Sequence, residues 1–165
     1  MKNFKVTQEF KIVDGIKVYR IECINGFYNQ DTYIGVGVLG GFVENEYNLD
    51  GCAWLYGESV AMGNSYVSDN SKIQDCVIIR DNTMVLGNPK ICGTAQLSQN
   101  SKVIGNALIF GNPRVSGKTI ICGTLFGNLL VTGQSYIEGR AFGSGVLNNR
   151  AVLKRDTYIS RKLQW

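Results

Sequence analysis

From Ala53 to Thr124 the chain repeats a six-residue pattern of hydrophobic and polar positions twelve times in succession. In a strand the first and third residues of each repeat point to the same side, so the pattern predicts short strands with small and aliphatic side chains turned inward. The fifth and sixth positions, Gly or Asp and often then Asn, tolerate positive φ and predict a sharp corner after each strand. The third positions are Leu55, Ala61, Val67, Ile73, Ile79, Val85, Ile91, Leu97, Val103, Ile109, Val115 and Ile121.

A strand followed by a corner, repeated in this way, predicts a chain wound into a coil. The pattern resembles the hexapeptide-repeat, left-handed parallel β-helix superfamily, whose triangular coils hold three repeats each. The resemblance covers about residues 53 to 160 and implies an all-β, single-stranded parallel β-helix; the left-handed sense comes from the resemblance alone. Eighteen-residue stacking predicts ladders of Asn64, Asn82 and Asn100 and of Asn70, Asn88 and Asn106.

After Ile121 the repeat changes frame, because Val131 and later Leu147 are each reached by a ten-residue step. We interpret these steps as two four-residue insertions at corners, which leads to an expected five to six coils, stacked at about 4.8 Å per coil.

The two ends differ from the repeats. The segment "EFKIVDGIKVYRIECI" predicts a β-hairpin with Asp14-Gly15 as its turn. Residues 37 to 57 are similar to a segment of phage and prophage proteins that carry G-x-L-G-G-W-V-E-x-E-x-N-L before G-N-A-x-V-x repeats, with Phe42 in place of the Trp. The positions that fit are Gly40, Gly41, Val43, Glu44, Glu46, Asn48 and Leu49. The predicted organisation is a hairpin and lead-in loop over 1-50, followed over 51-165 by the β-helix with its C-terminal basic cap, in one compact unit with Trp165 as an apolar plug.

Composition narrows the class of protein. Twenty glycines against two prolines disfavour a helical fold. The N-terminus lacks an apolar leader pattern and the chain has no run of eighteen apolar residues, so we expect a cytoplasmic protein, in the host cytoplasm if a phage encodes it. The five cysteines form no C-x-x-C pair, which favours reduced thiols over disulfides.

The sequence offers no catalytic constellation. Acyltransferases and carbonic anhydrases that share the resembled fold use His as base or zinc ligand, and this chain has none. Gly35, Gly37 and Gly40 spell G-x-G-x-x-G without the helix that a dinucleotide site needs. The acids Glu44, Glu46 and Asp50 are expected to be solvated loop carboxylates. We therefore expect a protein that is not an enzyme and has no cofactor or metal, with an acyltransferase-like enzyme that replaces His as the last alternative.

Eighteen-residue periodicity sorts the outward side chains onto three faces. Face A presents Trp54, Tyr56, Lys72, Gln74, Lys90, Cys92, Leu108 and Phe110. Face B presents Val60, Met62, Ile78, Arg80, Gln96, Ser98, Arg114 and Ser116. Face C presents Tyr66, Ser68, Met84, Leu86, Lys102, Ile104, Ile120 and Cys122.

Face C is predicted to be a contact surface, because its apolar strip exceeds what monomers usually expose. The strip consists of Tyr66, Met84, Leu86, Ile104, Ile120 and Cys122. Three covers stay open at this point: the N-terminal hairpin or a loop of the same chain, a second copy in a homo-oligomer, or a foreign protein.

The positive charge is concentrated at the C-terminus, where residues 150 to 165 carry five basic groups and one acidic group. This basic end consists of Arg150, Lys154, Arg155, Arg161 and Lys162. It is either a solvated cap or a contact for nucleic acid or an acidic protein, and the scarcity of interleaved aromatics makes the nucleic-acid signature weak.

The expected function is a non-catalytic, macromolecule-binding solenoid. If the phage resemblance holds, its concrete form is an accessory protein that inhibits a host defence factor by protein-protein contact. The alternative is a structural or oligomerisation protein of a phage or bacterium.

Overall fold

The fold is a parallel β-solenoid of about seven turns, described here by a computed structural model that covers residues 2–160 and 163–164. This confirms the predicted all-β fold class. The described residues contain β-strands and one 3-10 turn, Glu46–Asn48. The strands are β1 (Phe4–Val13), β2 (Ile16–Cys23), β3 (Phe27–Asn29), β4 (Thr32–Ile34), β5 (Leu39–Val43), β6 (Trp54–Leu55), β7 (Val60–Ala61), β8 (Tyr66–Val67), β9 (Lys72–Ile73), β10 (Ile78–Ile79), β11 (Met84–Val85), β12 (Lys90–Ile91), β13 (Gln96–Leu97), β14 (Lys102–Val103), β15 (Leu108–Gly111), β16 (Arg114–Val115), β17 (Ile120–Ile121), β18 (Thr124–Val131), β19 (Tyr136–Ile137), β20 (Arg140–Asn148), β21 (Val152–Leu153), β22 (Thr157–Ile159) and β23 (Leu163–Gln164).

The strands stack in parallel on the three predicted faces. Face A is formed by β6, β9, β12 and β15, and continues into the first halves of β18 and β20 and into β22. Face B runs from β5 through β7, β10, β13 and β16 into the second halves of β18 and β20. Face C contains β8, β11, β14, β17, β19 and β21.

The interior is filled by the aliphatic third positions. Ile73, Ile91 and Ile109 follow one another on face A and are fully buried. The small first positions, such as Ser71 and Ala107, are buried beside them. Each turn therefore buries a set of aliphatic side chains, and this continuous column of apolar contacts is the main source of stability.

The corners are stabilised by hydrogen bonds from coil to coil. Asp69, Asp75 and Asp81 take left-handed backbone conformations, with φ of 60°, 64° and 59°. Each carboxylate accepts the backbone N–H eighteen residues later, as the Gly87 amide donates to Asp69 at 2.7 Å. The acids at these corners therefore replace glycine in conformation and also link neighbouring coils.

The predicted asparagine ladders are present with one exception. Asn64 donates to Asn82 at 3.2 Å, and Asn82 donates to Asn100 at 3.3 Å. In the second ladder Asn88 donates to Asn106. The carboxamide oxygen of the remaining member, Asn70, instead accepts the backbone N–H of Gln30.

The C-terminal coils are shorter than expected, and the two predicted four-residue insertions are wrong. Leu108 pairs with Thr124, and Thr124 pairs with Arg140, so each of these coils contains sixteen residues. The corner that joins face C to face A has lost two residues, and Leu125 occupies the interior position after Ile121. A Cβ at Gly123 would lie 2.2 Å from the carbonyl oxygen of Glu138, so only glycine fits this tight corner.

The solenoid stack begins within the lead-in segment. Strand β5 pairs antiparallel with β2 and parallel with β7, and Leu49 forms an isolated bridge with Val67. A Cβ at Gly41 would lie 2.4 Å from the carbonyl oxygen of Ser59, which explains the glycine at this close approach. Because Val43 and Leu49 already occupy interior positions, the number of turns exceeds the expected five to six.

The N-terminal coils form the upper end of the solenoid and the C-terminal coils its lower end. The hairpin of β1 and β2 lies against the upper part of face B. Val18 packs with Phe42, Val60 and Met62 in a small apolar cluster outside the solenoid interior. The Arg80 guanidinium forms an ion pair with the Asp14 carboxylate at the hairpin turn. The hairpin therefore covers the upper part of face B and does not lie on face C.

A second hairpin, formed by β3 and β4, lies on the upper part of face A. Phe27 packs edge-on against Trp54, with ring centroids 5.7 Å apart. The buried Lys72 ammonium lies 2.8 Å from the Asp31 carboxylate and 2.7 Å from the Thr32 hydroxyl. The sequence pattern did not predict this hairpin, which closes face A over its first two coils.

The described part of the chain contains no helix that could span a membrane.

Candidate protein interface on face C

Face C consists of two vertical columns of outward side chains. The strand register places Tyr66, Met84, Lys102 and Ile120 in one column, and it continues through Tyr136 and Val152. The second column contains Ser68, Leu86, Ile104, Cys122, Glu138 and Lys154. The six residues predicted from the sequence therefore lie together on one flat surface, as the eighteen-residue periodicity requires.

The six predicted residues are all half-buried. Stacking along the axis shields each side chain by its neighbours above and below, so each exposes only its outer edge. The apolar strip extends beyond the prediction, because Tyr136 continues it and Val152 is 57% exposed. Six strands at the usual spacing give a strip about 24 Å long.

Neither hairpin covers this strip. The contacts that the described residues of β1 to β4 make with the solenoid fall on faces A and B and on the adjoining corners. The sequence leaves three possible covers for this strip. The N-terminal hairpin, which was one of them, lies on face B instead.

Two tyrosines mark the upper and lower parts of face C. The Tyr66 hydroxyl donates to the Asp50 carboxylate at 3.1 Å, and burial together with this bond raises the pKa of Tyr66. The Tyr136 hydroxyl lies 3.4 Å from the Cys122 sulfur. Both phenols therefore remain neutral near pH 7 and add hydroxyl groups to the apolar strip.

The basic end is partly described by the structure. Arg150, Lys154 and Arg155 are exposed on or near the last coil, whereas Arg161 and Lys162 lie outside the described residues, as does the predicted plug Trp165. Lys154 is on face C itself, below Glu138. Arg155 stacks below Gly139 at the corner between faces C and A.

A cluster of aromatic residues on the lower part of face A was not predicted from the sequence. The rings of Phe110 and Phe126 stack with centroids 4.6 Å apart, and Phe142 and Tyr158 form a tilted pair at 5.5 Å. A shallow cavity of about 340 Å³ lies between the two pairs, beside the ion pair of Arg140. The sequence signal for this cluster is the segment "GTLFGN". It fits the six-residue pattern if the corner before it is two residues shorter than the other corners.

The described residues show little that resembles a catalytic or metal site. No group of three or more Cys, Asp or Glu side chains is placed to hold a metal ion. All five cysteines are free thiols. Glu44 accepts the Gly63 amide and Glu46 pairs with Lys2, so these two candidate acids have structural partners.

The glycines of the G-x-G-x-x-G pattern lie in a turn and a strand. Gly35 and Gly37 are in the turn before β5, and Gly40 belongs to β5. The described part of the chain continues from there into the solenoid, with a single 3-10 turn and no α-helix. The pattern therefore lacks the helix N-terminus that binds a dinucleotide phosphate.

A comparison of the chain with protein-family models and with curated proteins finds no match. The function is therefore inferred from the surface.

Proposed function

We propose that this chain is a non-catalytic, protein-binding β-solenoid that engages its partner through face C. The observation that carries the proposal is the apolar strip centred on Leu86 and Ile104, which no described element of the chain covers. Extended apolar strips of this kind on a soluble protein mark sites of protein contact.

A rigid, flat scaffold suits this role. Each coil is fixed by backbone hydrogen bonds to the coils above and below it, so the face changes little when a partner binds. The interface is thus organised in advance, which lowers the entropic cost of association.

The concrete form that we propose is an accessory phage protein that inhibits a host defence factor by protein-protein contact. Its support is the resemblance of the lead-in segment to phage proteins, including the Gly40-Gly41 pair and Val43-Glu44. The separate resemblance of the repeats to the hexapeptide-repeat superfamily supports the proposal that the coils are left-handed hexapeptide-repeat coils. The phage resemblance supports the proposal that the protein acts in the host cytoplasm.

The experiment is affinity capture from a bacterial lysate followed by mass spectrometry, with the double variant Leu86→Lys/Ile104→Lys. We expect the wild-type chain to enrich a specific protein and the double variant to lose it while keeping its circular dichroism and melting temperature. Ile12→Lys is the matched control, because Ile12 is 59% exposed on the N-terminal hairpin, away from face C. Equal capture by the double variant would refute the proposal.

The second candidate function is a structural protein that assembles through the same face. The flatness of face C favours it, since equal flat faces pack together readily. Sedimentation measured across a hundredfold range of concentration separates the two, because assembly increases the mass with concentration and Leu86→Lys/Ile104→Lys would abolish the increase. A constant monomer mass excludes this alternative.

A further inference from the structure

The charges are divided along the solenoid axis. Residues 1–83 carry seven basic and eleven acidic groups, whereas residues 84–160 carry eight basic and two acidic groups. The N-terminal half is therefore net acidic and the C-terminal half is strongly basic.

The acids of the N-terminal half have partners within the chain. Some cap backbone amides of the next coil, as Asp75 does for Gly93. Others form ion pairs, as Glu58 does with Lys11 and Arg20. All eleven accept a hydrogen bond or form an ion pair inside the molecule: Glu9, Asp14, Glu22, Asp31, Glu44, Glu46, Asp50, Glu58, Asp69, Asp75 and Asp81. This negative charge is therefore used to hold coils and hairpins together.

The cations of the C-terminal half are arranged differently. Among the residues that the structure describes, only Arg140 of these eight basic groups forms an ion pair, with Asp156 at 3.2 Å. The other seven are exposed on the surface: Lys90, Lys102, Arg114, Lys118, Arg150, Lys154 and Arg155.

Several of these cations border the apolar strip. Lys102 is on face C, and Lys118 is at the corner two residues before Ile120. Together with Asn100 these residues line a shallow depression of about 340 Å³. Arg150 occupies the same corner lower down, beside Val152. In its lower part, face C therefore combines apolar side chains with several exposed cations, against one exposed acid, Glu138 in the second column.

We infer that the partner of face C is an acidic protein surface, with apolar residues at its centre and Asp or Glu at its edge. The inference rests on the proposed function and names the chemistry of its partner. A second copy packed in the same axial direction would bring Lys102 and Lys118 against their own duplicates, and like charges brought together oppose association. A copy packed in the opposite direction would offer these cations only the N-terminal acids, which already have partners within their own chain. Nucleic acid is disfavoured because protein-DNA interfaces are more polar and more positively charged than the strip of Met84, Leu86 and Ile104.

The test uses two defined helical peptides of eighteen residues, which at 1.5 Å per residue have a length of about 27 Å, close to that of the strip. Both carry the same stripe of Leu; one has Glu on its flanks and the other has Lys. We expect the Glu peptide to bind at least tenfold more tightly than the Lys peptide, with an affinity that falls as salt is raised.

Two double variants separate the inference from the proposed function. We expect Lys102→Glu/Lys118→Glu to lower the affinity for the Glu peptide at least tenfold and to reduce the salt dependence of that affinity. The matched control Lys90→Glu/Arg114→Glu, which changes exposed cations on faces A and B, should stay within twofold of wild type. Leu86→Lys/Ile104→Lys should abolish binding of the Glu peptide.

The possible failures are distinguishable. If Leu86→Lys/Ile104→Lys weakens binding but Lys102→Glu/Lys118→Glu does not, face C remains a protein interface and the acidic partner is wrong. If neither double variant weakens binding, the proposed function fails as well. No binding of the Glu peptide at about millimolar concentration, or tighter binding of a DNA duplex that survives Leu86→Lys/Ile104→Lys, would also overturn the inference.

Discussion

The backbone amide of Gly93 donates a hydrogen bond of 2.8 Å to the carboxylate of Asp75, which lies directly above it in the preceding coil. Asp75 itself has a φ of 64°, a conformation that Asn and Gly tolerate and Ala does not. Asp75 therefore has two roles: its backbone forms the corner of its own coil, and its side chain binds the corner of the next coil.

We expect Asp75→Ala to lower the free energy of unfolding by about 1 kcal/mol. The substitution removes the hydrogen bond to Gly93 and leaves Ala in a strained left-handed conformation. Asp75→Asn is the control, since Asn keeps an acceptor oxygen and tolerates the conformation. Urea denaturation followed by circular dichroism measures both, and equal stability of the two variants would contradict the corner's role.

The interior column predicts a larger effect. Ile91 is fully buried in the middle of the stack, between Ile73 and Ile109. We expect Ile91→Ala to destabilise the fold by about 2–5 kcal/mol, because the removed atoms leave a cavity in a closely packed interior. The neighbouring Lys90 is exposed, so Lys90→Ala should change the urea midpoint little.

The shortened corner depends on glycine. We expect Gly123→Ala to cost more than about 3 kcal/mol, because its Cβ would meet the carbonyl oxygens of Glu138 and Gly139 at 2.2 Å. Gly105→Asn is the control: Gly105 has a φ of 69°, which Asn accepts, and nothing within 4 Å of an added Cβ. Limited proteolysis should cut Gly123→Ala in its C-terminal coils first. Wild-type resistance would show that the corner can relax.

The β3–β4 hairpin should respond to acid. The hydrogen bond from Lys72 holds the pKa of Asp31 below its usual range. A carboxylate with a lowered folded-state pKa stabilises the structure above the ordinary pKa and loses that contribution as the pH falls through the folded value. We therefore expect amide protection in Phe27–Ile34 to decrease selectively below about pH 4.

Hydrogen exchange measured against Val103 on face C as internal reference tests this response. Asp31→Asn should have the weakened hairpin at every pH and lose the selective decrease. Parallel loss of protection at both sites in the wild type would assign the transition to global unfolding instead.

The thiols should react in the order of their exposure. Cys52 and Cys76 are exposed, whereas Cys23 is buried, and burial raises the pKa of the Cys23 thiol. Maleimide at neutral pH should modify Cys52 and Cys76 first, Cys92 and Cys122 more slowly, and Cys23 only after unfolding. Mass spectrometry of time points gives the order. Early labelling of Cys23 would contradict the packing of β2.

Much of the solenoid could be predicted because its interior repeats one simple requirement. An aliphatic residue at the third position of every repeat, with a corner residue two positions later, defines the three faces. This pattern alone is enough to assign Tyr66, Leu86 and Ile104 to one surface. The Asp14-Gly15 turn was equally readable, since its backbone conformation favours these residue types.

The parts that could not be predicted depend on contacts between distant segments. A ten-residue step from Ile121 to Val131 fits either an insertion or a deletion, and the choice depends on whether Leu125 points inward. The positions of the two hairpins depend on partners such as Met62 and Lys72, which the local sequence does not identify. Neither choice is encoded in a six-residue pattern.

The change from eighteen to sixteen residues per turn after Leu108 has a consequence for how the chain finds its pairing. Identical rungs would let a growing stack slip by one turn and still satisfy every backbone partner. In this chain, a slip by one turn would stack a sixteen-residue coil on an eighteen-residue coil. Their residues would then be out of register at the corner between faces C and A. The change in coil length therefore fixes the register in which neighbouring coils pair.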